Sequence, residues 1–86
     1  MMKITLDVPE YTVERGIRYK WEYGFDIESR IDNGVIVISA NREGLISLAN
    51  HLLNLSQAGV PLGHHLHLDE YNSLEEGSSE LIIVRK

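Results

Sequence analysis

Gly63-His64-His65-Leu66-His67-Leu68-Asp69 is the one stretch of this 86-residue chain whose residue types and spacing invite a chemical reading. Along an extended strand alternate side chains share a face. His65 and His67 therefore point the same way, roughly 6.5–7 Å apart, and Asp69 follows on that face. Imidazole pairs at this spacing bind metal when a third ligand and a dry pocket complete the site. The further candidates are His51, His64, Glu70 and Glu80, and no second motif fixes any of them to the strand. The plain alternative is a row of solvent-side histidines on a half-exposed strand. No glycine-rich phosphate loop follows a strand, and no serine or threonine has a nucleophile's context. Glu75 and Glu76 are neighbours in a polar connection, which reads as a solvated turn rather than an acid/base pair. His51, between Asn50 and the nearby Asn54, reads as a surface histidine.

Charge offers a second kind of chemistry. The net charge is −5, and Asp69, Glu70, Glu75, Glu76 and Glu80 follow one another with no lysine or arginine between them. Such a run is either a solvated edge or the docking surface of a cationic partner, with His65 and His67 beside it as hydrogen-bond donors. An acidic chain lacks the basic face that binding a phosphate backbone requires, so nucleic acid is not an expected partner; a basic protein is. There is no cysteine, hence no disulfide framework and no thiolate metal site. The N-terminus has no apolar leader-like region, and the longest aliphatic runs, Val35–Ile38 and Leu81–Val84, are far too short to cross a bilayer. The expected address is the cytoplasm, with no membrane partner.

The element that must position these residues is a helix over Asn41 to Gly59. Leu45, Leu48, Ala49, Leu52 and Leu53 fall on one stripe, with Ser47, Asn50, His51 and Asn54 opposite. Asn41 suits the N-cap, Glu43 suits the positive end of the helix dipole, Gly59 suits a left-handed residue past the end, and Pro61 prevents resumption. With the leucine stripe buried on a sheet, Leu52→Ala should cost about 2–5 kcal/mol.

The rest reads as strand and turn. Lys3 to Val8 alternates and ends at Pro9. Ile17 to Ile31 keeps its apolar residues at odd positions, and its length requires a break near Gly24. Tyr19, Trp21 and Tyr23 in that run read as core, with an exposed aromatic binding surface as the alternative. Asn33-Gly34 predicts a two-residue type I′ hairpin pairing Ile31 with Ile36, Ser29 with Ile38 and Ile27 with Ala40. Val35 and Val37 then lie on the other face, which a second copy of the protein could cover. Leu62 to Asp69 alternates again, Tyr71 and Leu74 would anchor the acidic connection, and Leu81–Val84 suits a central strand. Together these predict one α+β domain over residues 1–86: an antiparallel β-sheet with one helix packed on a face, in the order β-β-β-β-α-β-β.

The second half resembles a known family. Ile38-Ser39-Ala40-Asn41-Arg42-Glu43-Gly44-Leu45, leading into Leu48-Ala49-Asn50-His51-Leu52, is similar to the immunity protein 32 family of bacterial polymorphic toxin systems. So are Gly63 to Asp69 and the ending Gly77-Ser78-Ser79-Glu80-Leu81-Ile82-Ile83, so the resemblance runs over about Ile38 to Val84. It implies a cytoplasmic protein that neutralises a toxin by binding it, with no enzymatic activity and no cofactor. The favoured reading is a non-catalytic module that binds a cognate toxin, a basic nuclease being the toxin an acidic surface suits. The partner-binding residues would be His65, His67, Asp69, Glu70, Glu75 and Glu76. Two alternatives stand beside it: a small metal-binding domain or enzyme built on His65, His67 and Asp69, and a structural or regulatory subunit that assembles through an exposed sheet face or edge, as a homodimer would.

Overall fold

Asn33 and Gly34 both adopt left-handed backbone, at φ 51° and 79°, and turn the chain through the type I′ hairpin that the Asn-Gly pair predicts. The computed structural model describes residues 1–86. The turn joins β1 (Ile27–Asp32) to β2 (Val35–Ala40), with Ile31 opposite Ile36, Ser29 opposite Ile38 and Ile27 opposite Ala40, the register expected from the apolar pattern. Ala40 leads into α1 (Arg42–Leu55); after it come β3 (His65–Leu68) and β4 (Leu81–Val84), paired antiparallel with His67 opposite Ile82.

The order is thus β-β-α-β-β in two separate two-stranded sheets, not the single sheet of β-β-β-β-α-β-β. The two expected N-terminal strands are absent. Residues 1–26 form one isolated bridge, Thr12 to Gly16, and no regular ladder. Their backbone groups bond instead to side chains of the helix and to Gln57 just past its C-cap. The Lys20 amide donates to Asn50 Oδ1 (2.9 Å), the Glu22 amide to Ser47 Oγ (2.8 Å) and the Tyr11 amide to Gln57 Oε1 (2.7 Å). In the other direction Asn50 Nδ2 donates to the Asp7 carbonyl (3.0 Å) and Gln57 Nε2 to that of Pro9 (3.2 Å). A carboxamide carries the same donor and acceptor as a peptide unit, so the helix supplies what a neighbouring strand would.

This inverts the helix. Ser47, Asn50, His51 and Asn54 are buried, while Leu45, Leu52 and Leu53 are 56, 50 and 47% exposed. Leu48 alone of the expected stripe packs on the core of Ile27, Leu55, Leu66, Leu68 and Leu74. The N-cap is as expected: Asn41 Oδ1 accepts from the Gly44 amide at 2.8 Å, and Glu43 lies in the first turn. The other end differs. Ser56 caps it in right-handed backbone, Gly59 has no left-handed φ, and the Arg85 guanidinium donates to the carbonyls of Leu55 (2.8 Å) and Gln57 (3.1 Å). A cation there also faces the negative end of the helix dipole. Gly44 is required by close approach: a Cβ would sit 2.6 Å from the Asp26 carbonyl oxygen and 2.8 Å from Ile27 Cγ1.

Other apolar expectations divide. Leu74 is buried and anchors the acidic connection, but Tyr71 is almost fully exposed, as is Tyr23. Tyr19, Trp21 and Phe25 do pack on the core. β4 is not a central strand: it has one partner, and Ile82 and Val84 face solvent. Leu62 lies outside β3 and is exposed.

Candidate functional site

β3 sets the histidines as alternation requires, with Leu66 and Leu68 buried and His65 and His67 exposed. The two imidazoles differ in what they meet. His65 Nδ1 lies 3.4 Å from the carbonyl of Gly63. His67 Nε2 lies 3.2 Å from Glu80 Oε1 and 3.6 Å from Asp69 Oδ2. Continuing the β3–β4 register one step places Asp69 opposite Glu80, so His67 sits beside two facing carboxylates. Its Nε2 has one N–H at most, enough for one of them.

Asp69 and Glu70 are already engaged by their own loop. Asp69 Oδ1 accepts from the amides of Tyr71 (2.9 Å) and Asn72 (3.1 Å), and Asn72 Oδ1 accepts in return from the Asp69 amide (3.0 Å). Asn72 Nδ2 donates to the His67 carbonyl at 3.0 Å. Glu70 Oε2 accepts from the Gly77 amide at 2.8 Å and ties the far end of the loop back. These carboxylates hold the loop's shape. Glu75 and Glu76 are exposed and neither is bonded through its side chain, while the Glu75 amide fastens the loop to β1 through the Ile27 carbonyl (2.9 Å).

The loop brings in acids that lie far off in sequence. Glu76 lines a hollow of about 100 Å³ together with Glu28, Ser29, Arg30, Gly77 and Ser78. Glu28 also lines a second hollow, of about 270 Å³, with Asp26, Ser39, Ala40 and Asn41. Arg30 is the cation of this surface, bonded to Glu28 at 3.0 Å. Asp26 and Glu28 occupy the even, outward positions of the odd-apolar run, and that is the signal that could have marked them. Both hollows are shallow and polar, unlike the apolar enclosure that holds a small substrate. No group of three His, Asp or Glu side chains is placed so that it could hold a metal ion. His51 and His64, the more distant ligand candidates, stand elsewhere: His64 meets the Tyr11 ring edge-on at 6.3 Å.

His51 is the largest departure from expectation. It is 0% exposed, and neither ring nitrogen has a hydrogen-bond partner. The rings of Trp21 and Tyr19 stand edge-on to it at 4.2 and 5.0 Å. Burial lowers its pKa to about 4, and burial also raises the Tyr19 phenol, whose hydroxyl is likewise unpaired. It is a neutral aromatic filling the space between helix and N-terminal segment. The overlooked signal is on the helix itself, where no residue from Gly44 to Gln57 is charged. A face that lies against water normally carries lysine or glutamate.

Residues 35–86 match the model of the family described as immunity protein 32. No curated protein and no solved structure matches the chain. No helix is long and apolar enough to cross a membrane.

Proposed function

We infer, because the chain belongs to the immunity protein 32 family, that it binds a cognate bacterial toxin and neutralises it without catalysing a reaction of its own. The observation that carries this is the family match over residues 35–86, which takes in β2, the helix, the histidine strand, the acidic loop and β4. The protein acts in the cytoplasm as one domain over residues 1–86. Its docking surface is the acidic face of the 69–80 loop, with Glu75 and Glu76 exposed, Glu28 of β1 sharing a hollow with Glu76, Asp26 next to Glu28 just before that strand, and His65 and His67 as donors at the rim. Asp69 and Glu70 serve it from behind by fixing the loop, so that little entropy is lost on docking. The toxin that suits this surface is cationic at its active face, as a nuclease is.

The test uses the toxin domain encoded beside this gene. Cells expressing that domain should survive when this chain is co-expressed, and the two purified proteins should form a stable complex. Glu75→Lys together with Glu76→Lys should slow association about tenfold at low salt, with the effect shrinking as salt screens it. Neither side chain is used by the fold, so melting should be unchanged. No protection and no complex would overturn the function. Protection with unchanged kinetics in the double variant would leave the function standing and move the docking surface.

A further inference from the structure

We propose that β2 is a self-pairing edge through which two copies of this chain form a weak antiparallel dimer. The Asn41 amide donates to the Asp26 carbonyl at 3.0 Å and fixes the phase of the β1–β2 ladder. Antiparallel pairs alternate between bonded and non-bonded, so Glu28/Ser39, Arg30/Val37 and Asp32/Val35 exchange the hydrogen bonds. Ile36 and Ile38 therefore aim their N–H and C=O groups away from β1, and no backbone hydrogen bond from the rest of the chain reaches them. The corresponding edge of β1 is taken: the Ile27 carbonyl accepts from Glu75, the Ser29 carbonyl from Ser79, and the Ser29 amide donates to Ser78 Oγ. The free edge of this sheet is β2, and it carries no proline, lysine or bulge of the kind that blocks edge pairing.

The occupant follows from charge and symmetry. Val35-Ile36-Val37-Ile38-Ser39 has no charged residue in a chain with 13 acids and 8 bases. A cationic toxin finds nothing there to read, whereas the same segment of a second copy meets it with no like charges opposed. A two-fold axis through Val37 sets Ile36 of each copy opposite Ile38 of the other, and each pair exchanges two N–H···O bonds. Ile36 and Ile38, 69 and 43% exposed, then pack across the junction, and two marginal hairpins become one four-stranded sheet. The footprint is small. Six residues of strand in a sheet about 10 Å thick cover a strip roughly 20 Å long, about 200 Å² against the ~800 Å² per partner of a stable interface. Self-association is therefore weak and transient. Two chains of charge −5 repel, so added salt tightens the dimer, the opposite of its effect on an acid-to-base toxin contact.

Sedimentation equilibrium from micromolar to millimolar concentration, at low and high salt, tests this. The parent should dimerise at the upper end, more completely in salt, and Val37→Lys, which sets two ammonium groups against each other at the axis, should weaken the dimer at least about tenfold. Val37→Cys gives a chain with a single cysteine, whose Cα lies about 4.5 Å from its mate, within disulfide range; it should cross-link on oxidation. Val35→Cys places the two sulfurs' backbones about 14 Å apart and should not. A parent that stays monomeric at millimolar concentration, a dimer indifferent to Val37→Lys, or equal cross-linking at both positions would overturn the proposal. A monomeric parent whose Val37→Lys variant loses the toxin would assign the edge to the toxin instead.

Discussion

Acid should unfold this protein through His51. In the folded chain the ring lies between Trp21 and Tyr19 with both nitrogens unpaired, and its pKa is lowered to about 4. In the unfolded chain it titrates near 6.5. Between those values the unfolded state binds a proton that the folded state refuses, so stability falls as pH falls. The contribution is whole well above pH 6.5, is lost progressively as pH falls through the window between the two pKa values, and levels off below pH 4. Working the two titrations through gives a loss of about 1 kcal/mol at pH 6, 2 at pH 5 and 3 at pH 4, with a limit of about 3.4. The parent alone cannot assign the loss to one residue. His51→Leu removes the titration while keeping an apolar filling, and its lost ring contacts cost the same at every pH. Urea denaturation of both proteins at pH 7, 6, 5 and 4 should show their difference in stability shifting by about 3 kcal/mol in favour of the leucine variant. Parallel pH profiles would refute the reasoning and mean that the ring keeps water or a partner when charged.

Three further substitutions probe the packing. Gly44→Ala should cost about 3 kcal/mol in chemical denaturation, although alanine is the better helix former, because its methyl meets the Asp26 carbonyl. Asn50→Ala should cost about 2–3 kcal/mol by leaving the Lys20 amide and the Asp7 carbonyl unpaired, and the Lys20 amide should exchange faster. Leu52→Ala should cost less than about 1 kcal/mol, since the side chain is half exposed; a loss of several would show the leucine stripe to be covered.

The hairpin was legible because its information is local. Asn33-Gly34 demands left-handed backbone, and parity then fixes every pair from Ile27 to Ala40. The helix was legible as a helix but not in its rotation. A 3.6-residue period marks two faces without saying which is covered, and by hydropathy alone leucine reads as inward. The polar face won because residues 1–26 need backbone partners, and Ser47, Asn50 and Gln57 can provide them. That pairing spans 25 to 48 residues, beyond the reach of any window of sequence. The histidine strand kept its predicted face, since period two survives in β3. What surrounds it did not show, because Asp69 and Glu70 turn back on their own loop and Glu28 joins Glu76 only through the fold.

The N-terminal segment has a temporal consequence. It leaves the ribosome before the helix does, and its partners at Ser47, Asn50 and Gln57 are made 25 to 48 residues later. At about 5–20 residues per second it waits for seconds with nothing to bond to. The hairpin and helix can form among themselves in that interval, and the segment is added last. The amides of Tyr11, Lys20 and Glu22 each rest on one side-chain acceptor rather than on a cooperative ladder, so the segment should also be the first part to open. In hydrogen exchange Tyr11, Lys20 and Glu22 should report a local opening well below the global unfolding energy, while the amides of Arg30 and Val37 hold out to the end.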